Sequence, residues 1–342
     1  MDNWKDKIAN TAQLGGIETS VMDNGGARGT RIAWVNTGSG LRYKVMMDRA
    51  LDIGDAFYNQ HSLAWLSPLG GIPPQRWAVS GTNWLGTFGG GLLVTCGPTH
   101  TGGPEEGNAE PLGLHDRISN LPAEIESIVQ PDPLSGRLDM QITGLTRYAR
   151  IFGPHVLIRR TISSRLGASF IRLHDEVINR GNTPVPHMLL YHCNFGWPLV
   201  EEGTRIDWEG RWQARDEESR LIFKEGNDFK RCPEVLAEHS GAGEAAAFID
   251  ADADHQGNCV CGLTNPRLGL RLRLSFKKTQ LPWLVNWQHW GKGDYVTGLE
   301  PATCPPIGQR AAAESGKLLY IGPGEKRGYD LKIEVEHLQT DN

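Results

Sequence analysis

Apolar and polar residues alternate along several short segments of the chain. In RLGLRLRLSF (267–276), every second position from Leu268 to Phe276 is leucine or phenylalanine, with arginine, serine or glycine between. Successive side chains of a β-strand point to opposite faces, so a period of two predicts a strand with one buried face. Further strands are predicted in HVLIRRTISS (155–164), SFIRLHDEVINR (169–180) and GYDLKIEVEH (328–337).

Glycine, proline and asparagine separate the predicted strands. The chain has 42 Gly and 20 Pro, and it has few helical patterns and neither a fixed-period repeat nor a low-complexity linker. Short strands between such turns are typical of a β-sandwich or barrel rather than of βαβ units. We therefore predict an all-β fold, a large antiparallel β-sandwich, as a single domain over 1–342 with its core at about 15–336. Any domain boundary would lie near QPDPLSG (130–136).

The composition excludes several classes of protein. The chain of 342 residues has a formal net charge of -5 and lacks the basic stripe that nucleic-acid binding needs. It has no run of about 18 apolar residues that would predict a membrane span. The opening MDNWKDKIANTAQLGG has no apolar segment of a signal peptide. We expect a small molecule as the partner, and neither nucleic acid nor a membrane.

The cysteines are few and irregularly spaced, at Cys96, Cys193, Cys232, Cys259, Cys261 and Cys304. This usage favours free thiols in a reducing, cytoplasmic compartment. Cys259 and Cys261 form a C-x-C without a second pair, so we expect no zinc site there. The sequence also has no phosphate-binding loop, dinucleotide-binding glycine motif, G-x-S-x-G elbow or H-E-x-x-H. We expect no metal and no cofactor.

Three segments combine titratable groups with glycines, aromatic residues or amides. They are GLHDRISNLPAE (113–124), LLYHCNFGWP (189–198) and NWQHWGKGDYVTGLEPATCPP (286–306). Such compositions are typical of small-molecule sites on loops and strand ends. In the first segment, His115 and Asp116 are candidates for the site, with a hydrogen-bonded loop as the alternative.

The second segment reads as a strand that ends at Gly196. A regular strand would place Leu190, His192 and Asn194 on one face and His187 on the opposite face. His192 is then either a core histidine or a proton donor at the edge of a pocket. His187 is the natural control for that choice.

The third segment is rich in aromatic rings, with Trp287, His289 and Trp290 close together. Flat rings suit the C–H faces of sugars, and carboxylates suit sugar hydroxyls. Partial burial of Glu300 between apolar neighbours would raise the pKa of its carboxyl and make it a better base. The alternatives are core tryptophans and a glutamate on a surface turn.

The order of these segments resembles the galactose mutarotase (aldose 1-epimerase) superfamily. G-L-H at 113–115 is similar to the family's L-H-G segment, H-x-N-F-G at 192–196 to its H-P-Y-F-N-L segment, and G-L-E-P at 298–301 to its L-E-T-Q segment. The length from about 15 to 336 fits the family's β-supersandwich. Segments such as MMDRALDIGD (46–55) look like a divergent branch.

The resemblance implies that Glu300 is the general base and His192 the general acid, while His115 hydrogen-bonds the sugar near its ring oxygen. Opening a hemiacetal ring removes a proton from the C1 hydroxyl and delivers one to the ring oxygen. A carboxylate and an imidazole with pKa values near neutrality can do both.

Two family features lack a clear match. No arginine occurs in GGGLLVTCGPTHTG (89–102), so Arg49, Arg117 or Arg147 would have to replace the family's arginine. Asp207 and Asp294 are the candidates for its sugar-binding aspartate. Together with these positions, the predicted substrate-binding residues are Asn194, Arg49, Arg117, Asp116, Trp287, His289, Trp290 and Asp294.

The expected function is interconversion of the anomers of a free sugar by an isomerase. Two alternatives stay open: an isomerase, lyase or hydrolase acting on a sugar derivative, and a non-catalytic sugar-binding module. Arg117 and Lys292 are the only cationic residues near the three segments, which favours an unphosphorylated sugar. The sequence leaves the oligomeric state open, with a homodimer as one option.

Overall fold

Strands account for most of the regular structure. The computed structural model describes residues 4–75, 77–106, 111–241 and 243–338. The strands are β1 (Gly16–Val21), β2 (Arg31–Asn36), β3 (Leu41–Met46), β4 (Asp52–Tyr58), β5 (His61–Ser62), β6 (Val94–Cys96), β7 (Glu105–Glu106), β8 (Pro111–Leu112), β9 (Ala123–Val129), β10 (Asp139–Ala149), β11 (His155–Arg165), β12 (Phe170–Asn179), β13 (Val185–His187), β14 (Leu190–Phe195), β15 (Arg205–Trp208), β16 (Gly210–Ala214), β17 (Ala245–Ala251), β18 (Asn258–Asn265), β19 (Leu270–Lys277), β20 (Trp283–Trp290), β21 (Tyr295–Ala302), β22 (Leu319–Ile321) and β23 (Lys326–His337).

The helical elements are short. They are α1 (Gln309–Glu314) and 3-10 turns at Thr11–Gln13, Asn83–Thr87, Ile118–Asn120, Ser219–Leu221 and Ala237–His239. Within the described ranges, no helix is long and apolar enough to cross a membrane.

Three antiparallel sheets form the body of the molecule. The first has the order β1-β2-β3-β4-β5, the second β15-β18-β19-β23-β12-β11-β10-β9, and the third β16-β17-β20-β21-β14-β6. Two-stranded ladders, β13-β22 and β7-β8, supplement them. The fold is the antiparallel β-sandwich that the period-two segments predict.

The predicted alternation is confirmed in β19 and β23. Every second residue of β19 from Leu270 to Phe276 is buried, and Tyr329 to Val335 of β23 alternate in the same way. Between the two strands, Arg273 pairs with Glu334 and Glu336 on the outer face. One face of this sheet therefore builds the core and the other carries ion pairs.

The third sheet is covered on both faces. Tyr191, Cys193 and Phe195 of β14 belong to the main hydrophobic core, together with residues of the first two sheets. On the opposite face, Leu190 belongs to a second cluster that includes Trp84 and Phe88. Because successive residues of β14 alternate between these faces, the strand has a core side and a side that faces the second cluster.

A buried charged network ties this core side to the second sheet. Arg160 of β11 donates hydrogen bonds to both oxygens of Asp175, to Asp52 and to the carbonyl of Ala50. Tyr191 of β14 donates to Asp175 at 2.7 Å, and Thr95 of β6 donates to Asp52 at 2.6 Å. The network therefore holds β14 and β6 in place from the core side of the third sheet.

Candidate active site

A cavity of about 950 Å³ opens beside the third sheet. The residues that line it fall between 65 and 115 and between 192 and 306, and they include Trp65, Trp84, Phe88, His115, His192, Arg215, Glu244, Phe248, Val285, Trp287, His289, Asp294 and Glu300. All three predicted catalytic residues are among them. The size lies near the upper end of the ~300–1,000 Å³ that small-molecule pockets occupy.

His192 enters the cavity from the centre of β14. Its neighbours in sequence, Tyr191 and Cys193, point into the core, so the strand's alternation directs His192 to the other side, as the sequence predicts. The imidazole lies against aromatic rings, 5.1 Å from Phe88 and 5.4 Å from Trp287 between ring centroids. Its Nδ1 is buried and has no hydrogen-bond partner among the described residues.

Glu300 enters from β21, which lies between β14 and β20. Gly298, two residues earlier on the same face, leaves the space for its carboxyl: a Cβ at 298 would lie 2.5 Å from Oε1 of Glu300 and 3.3 Å from the Trp287 ring. The glycine of the G-L-E-P motif is thus required by close approach. Any larger residue there would displace the carboxyl.

The carboxyl and the imidazole meet at the floor of the cavity. Oε1 of Glu300 lies 3.3 Å from Nε2 of His192, and both side chains are almost fully buried. Oε1 has no hydrogen-bond partner among the described residues. Two reactive groups in contact, each with an unsatisfied atom, are able to bind and transfer protons to a ligand.

Burial shifts the pKa values of this pair in opposite directions. It raises the pKa of Glu300 well above its usual value; nearby Glu244 adds to the shift, and Arg215 opposes it. It lowers the pKa of His192 to about 4, with Asn194 and Glu244 acting against the shift. Of the two groups, Glu300 therefore binds a proton more readily than His192. The expectation of a near-neutral pKa is wrong for His192.

His115 is held by a strained loop. His115 and Asp116 both have positive φ, +56° and +60°, which non-glycine residues rarely adopt. The backbone N–H of Gly102 donates to Nδ1 of His115 at 3.4 Å, so the neutral ring carries its proton on Nε2. Burial, followed by the proximity of His192, lowers the pKa of His115 well below its usual value. His115 is thus a neutral donor, with its ring 5.9 Å from that of His192.

Aromatic rings form the walls. Trp84 stacks on Phe88 at 4.3 Å, and Trp65 packs edge-on against Trp287 at 6.3 Å. The sequence singled out Trp287 alone of these rings. The others come from the N-terminal part of the chain, where no titratable motif marks them.

An ion pair that sequence reasoning missed lies in the wall. Arg215 donates to Glu244 at 2.6 Å and to Asp216 at 2.6 Å, and the indole N–H of Trp287 donates to Glu244 at 2.7 Å. Arg215 is close enough to oppose the shift in the pKa of Glu300. Among the described residues that line the cavity, Arg215 is the only arginine.

The three arginines considered for this role lie elsewhere. Arg49 is buried and donates to the carbonyls of Ile72 and Thr87, and it lines a separate cavity. Arg117 lies over the ring of Tyr148, and Arg147 pairs with Glu124 on the surface. None of them lines the site, because each is already engaged in its own part of the fold.

Three other predicted substrate-binding residues are also absent from the cavity wall. Trp290 is fully buried in the main core, because it lies three positions after Trp287 and an odd offset along a strand points to the opposite face. Asp116 accepts hydrogen bonds from the N–H and hydroxyl of Thr99 and from the N–H of Arg117, and so locks the loop. Asn194 donates to the carbonyls of Gly91 and His192.

His289 and Asp294 do line the cavity. Nδ1 of His289 lies 2.6 Å from the carbonyl of Asp294, and Nε2 lies 3.3 Å from the carbonyl of Gly241, so the ring joins two segments of the wall. Asp207, the other candidate aspartate, pairs with Arg205 and Thr264 outside the site.

His187 lies in β13 rather than on the opposite face of β14. Its ring nitrogens lie 3.0 Å from the carbonyl of Pro98 and 2.7 Å from the hydroxyl of Tyr329. Both nitrogens therefore have partners, whereas Nδ1 of His192 has none. All six cysteines are buried and unpaired, and no group of acidic, histidine and cysteine residues within the described ranges is arranged to hold a metal ion.

Sequence comparison connects most of the chain to one family. The family model described as Domain of unknown function (DUF4432) matches residues 27–335. No curated protein has a significantly similar sequence.

Several solved structures share the fold. A protein from Klebsiella pneumoniae named as a candidate aldose 1-epimerase has a TM-score of 0.86 at 22% identity, over 98% of this chain and 90% of that one. A galactose mutarotase-like protein from Clostridium acetobutylicum has 0.65 at 13%, over 94% and 98%. A galactose mutarotase related enzyme from Lactobacillus acidophilus has 0.59 at 10%, over 90% and 100%. The fold is thus the galactose mutarotase-like β-sandwich that the sequence resemblance predicted.

Proposed function

Because the chain belongs to the family described as Domain of unknown function (DUF4432), whose description states no reaction, we propose a function from the site itself. The protein is a sugar-converting enzyme, a mutarotase (aldose 1-epimerase) that interconverts the anomers of a free sugar. One observation carries this proposal: Glu300 and His192 are 3.3 Å apart at the floor of an aromatic-walled cavity.

The reaction needs two proton transfers at oxygens bonded to the same carbon. One removes the proton of the anomeric hydroxyl, and the other protonates the ring oxygen as the C1–O bond of the ring breaks. Two groups in direct contact suit two oxygens that are this close together. Each transfer by a positioned side chain contributes typically ~10²–10⁴-fold to a rate.

The proton of the pair defines the direction of each transfer. When it lies on His192, Glu300 is the base and His192 the acid, as the family resemblance implies. The shifts in pKa favour the other arrangement, with the proton on Glu300 and a neutral His192. Both arrangements contain the same number of protons. Ring opening converts one arrangement into the other, and ring closure, in which the two residues exchange the roles of acid and base, restores the first.

The remaining wall residues support a neutral sugar as substrate. His115 carries its proton on Nε2 and lines the cavity, and Trp287 in the same wall is a flat ring of the kind that suits the C–H side of a sugar. Arg215 is neutralised by Glu244 and Asp216, so it has little charge left for a phosphate. We therefore favour an unphosphorylated sugar. The reaction transfers only protons, so we propose no cofactor, and the unpaired thiols suit the cytoplasm.

Anomer exchange measured by magnetisation-transfer NMR on a panel of aldoses and ketoses tests the proposal. We expect Glu300→Gln and His192→Asn each to lower the enzymatic exchange rate by about 10²–10⁴-fold. His187→Gln, at a buried histidine outside the cavity, is the matched control and should keep the rate. Full activity in both cavity variants would refute the acid–base roles, and a new product in the spectra would mean a different reaction on a sugar derivative.

A further inference from the structure

The cavity has more space than one sugar ring fills. Its volume of about 950 Å³ is near the upper end for pockets that hold drug-sized ligands. Glu300 and His192, which are almost fully buried, form only part of its wall. The rest of the cavity is therefore available to a part of the substrate that does not react.

Burial distinguishes the inner end from the opening. Glu300 and His192 are almost fully buried, whereas Leu69 is 46% exposed and Leu85 is 55% exposed, although both line the same cavity. Pro68 and Pro104 are also exposed lining residues, and the remaining exposed ones are Thr82, Gly103 and Gly241. We call these four residues, Pro68, Leu69, Leu85 and Pro104, the apolar mouth.

The apolar mouth differs in chemistry from the inner wall. Sugars pack against flat aromatic rings such as Trp287 and place their hydroxyls on polar groups. Leucine and proline offer neither a flat face nor a hydrogen-bonding group. Exposed aliphatic side chains at the entrance of a ligand cavity are suited to an apolar group of the ligand.

The charged groups of the cavity lie along another part of the wall. Arg215, Glu244 and Asp294 are half-buried, and Arg215 and Glu244 are paired with each other. None of the exposed lining residues that the structure describes is charged, and Thr82 is the polar side chain among them. A charged extension of the substrate would gain nothing there, whereas an apolar extension would be removed from water.

We propose that the substrate is a reducing sugar with an aryl or alkyl substituent, and that Leu69 and Leu85 bind this substituent. The substituent is attached to a hydroxyl other than the anomeric one, because ring opening needs a free anomeric hydroxyl. This inference rests on the proposed function, since it takes Glu300 and His192 as the end of the cavity that receives the anomeric carbon.

Matched pairs of ligands test the proposal: D-glucose, D-galactose and D-fructose, each as the free sugar and as its 6-O-benzyl and 4-O-benzyl ethers. Binding is measured by isothermal titration calorimetry, and anomer exchange by NMR on the same samples. For at least one sugar, we expect a benzyl ether to bind about ten- to a hundredfold tighter than the free sugar, from the apolar area removed from water.

The double variant Leu69→Ser, Leu85→Ser should reduce this advantage to less than about threefold and leave the affinity for the free sugar unchanged. Leu134→Ser, at an exposed leucine between β9 and β10, is the matched control and should keep the advantage. Both sites are exposed, so thermal melting should show a folded protein in each case.

Three results would overturn the inference. They are an equal affinity for ethers and free sugars, an advantage that survives the double variant, and a change from dimer to monomer in the double variant with the advantage intact. The last would mean that a second copy of the chain covers the mouth. Tight binding of an ether without enzymatic anomer exchange would instead support the apolar mouth and refute the mutarotase proposal.

Discussion

Two groups of buried ionisable residues lie on opposite sides of β14, only one residue apart along the strand. Behind it, Tyr191 joins the network of Arg160, Asp175 and Asp52. In front of it, His192 meets Glu300. Both groups are buried in an environment that disfavours charge, but they differ in how completely their polar atoms are hydrogen-bonded.

The network is almost fully hydrogen-bonded. Arg160 has carboxylates on both sides and a backbone carbonyl, and among the described residues of the network only Oδ2 of Asp52 lacks a partner. In the cavity, by contrast, Nδ1 of His192 and Oε1 of Glu300 both lack partners. A satisfied network stabilises a fold, whereas unsatisfied groups are available to a ligand. The comparison predicts different consequences for substitutions on the two sides.

The largest expected effect is on stability, from Arg160→Met. Removing the cation leaves Asp175 and Asp52 buried without compensation, which should lower the free energy of unfolding by about 3–5 kcal/mol. Urea unfolding measures this change. Arg165 lies on the same strand as Arg160 and forms an exposed ion pair with Asp139 of β10. Arg165→Met should therefore lower the free energy of unfolding by less than about 1 kcal/mol. A similar small loss for both variants would contradict the role of the network.

His192→Asn should change how stability depends on pH. The pKa of His192 is lowered to about 4, so the unfolded chain binds a proton that the folded chain does not between the usual pKa of about 6.5 and pH 4. The wild type therefore loses stability as the pH falls from about 6.5 to 4, because the unfolded chain gains this proton. The variant should lose less between pH 7.5 and 4.5, by on the order of 2 kcal/mol. Identical pH profiles from urea unfolding would show that His192 titrates normally.

Glu300→Gln should also change how stability depends on pH, but in the direction of rising pH. Burial raises the pKa of Glu300, so the folded chain holds the proton more tightly and loses stability as pH rises above the usual carboxyl pKa. The variant should therefore be more stable than the wild type at pH 8, as measured by urea unfolding, and this gain should shrink toward pH 4. A loss of stability at pH 8 would indicate a structural role for the carboxylate.

The smallest effect is expected from His187→Gln. Glutamine can keep one of the two hydrogen bonds, to Pro98 or Tyr329, so the free energy of unfolding at pH 7.5 should fall by about 1 kcal/mol. Anomer exchange should not change. A large loss of exchange would place His187 in the catalytic machinery and remove the distinction between the two histidines.

The sequence predicts the fold well because burial on one face of a strand imposes a period of two. That pattern gives β19 and β23 directly, and it gives the side of β14 on which His192 lies. The same rule places Trp287 and Trp290 on opposite faces of β20, because they are three positions apart. Trp290 was wrongly assigned to the site because it is close to Trp287 in sequence. The meeting of His192 with Glu300 was predicted only through the family resemblance.

The rest of the cavity depends on long-range contacts that periodicity does not encode. Arg215 and Glu244 stand in RWQARDEESR and GAGEAAAF, where charged residues look like any solvated surface. They meet because β16 and β17 are adjacent in the third sheet, and the order of strands in a sheet is not written in the local sequence. Trp65, Trp84 and Phe88 reach the cavity from loops whose course is equally non-local.

The alternation of β20 has a consequence for how such a protein changes over generations. Val285, Trp287 and His289 line the cavity, while Leu284 and Trp290 belong to the main core. Replacements at Trp287 and His289 can alter the preferred ligand without removing a side chain from the main core, whereas Val285 is buried in the second cluster. Ligand preference and the packing of the main core are thus partly separable along one strand, so descendants of this chain can acquire new ligands at little risk to that core.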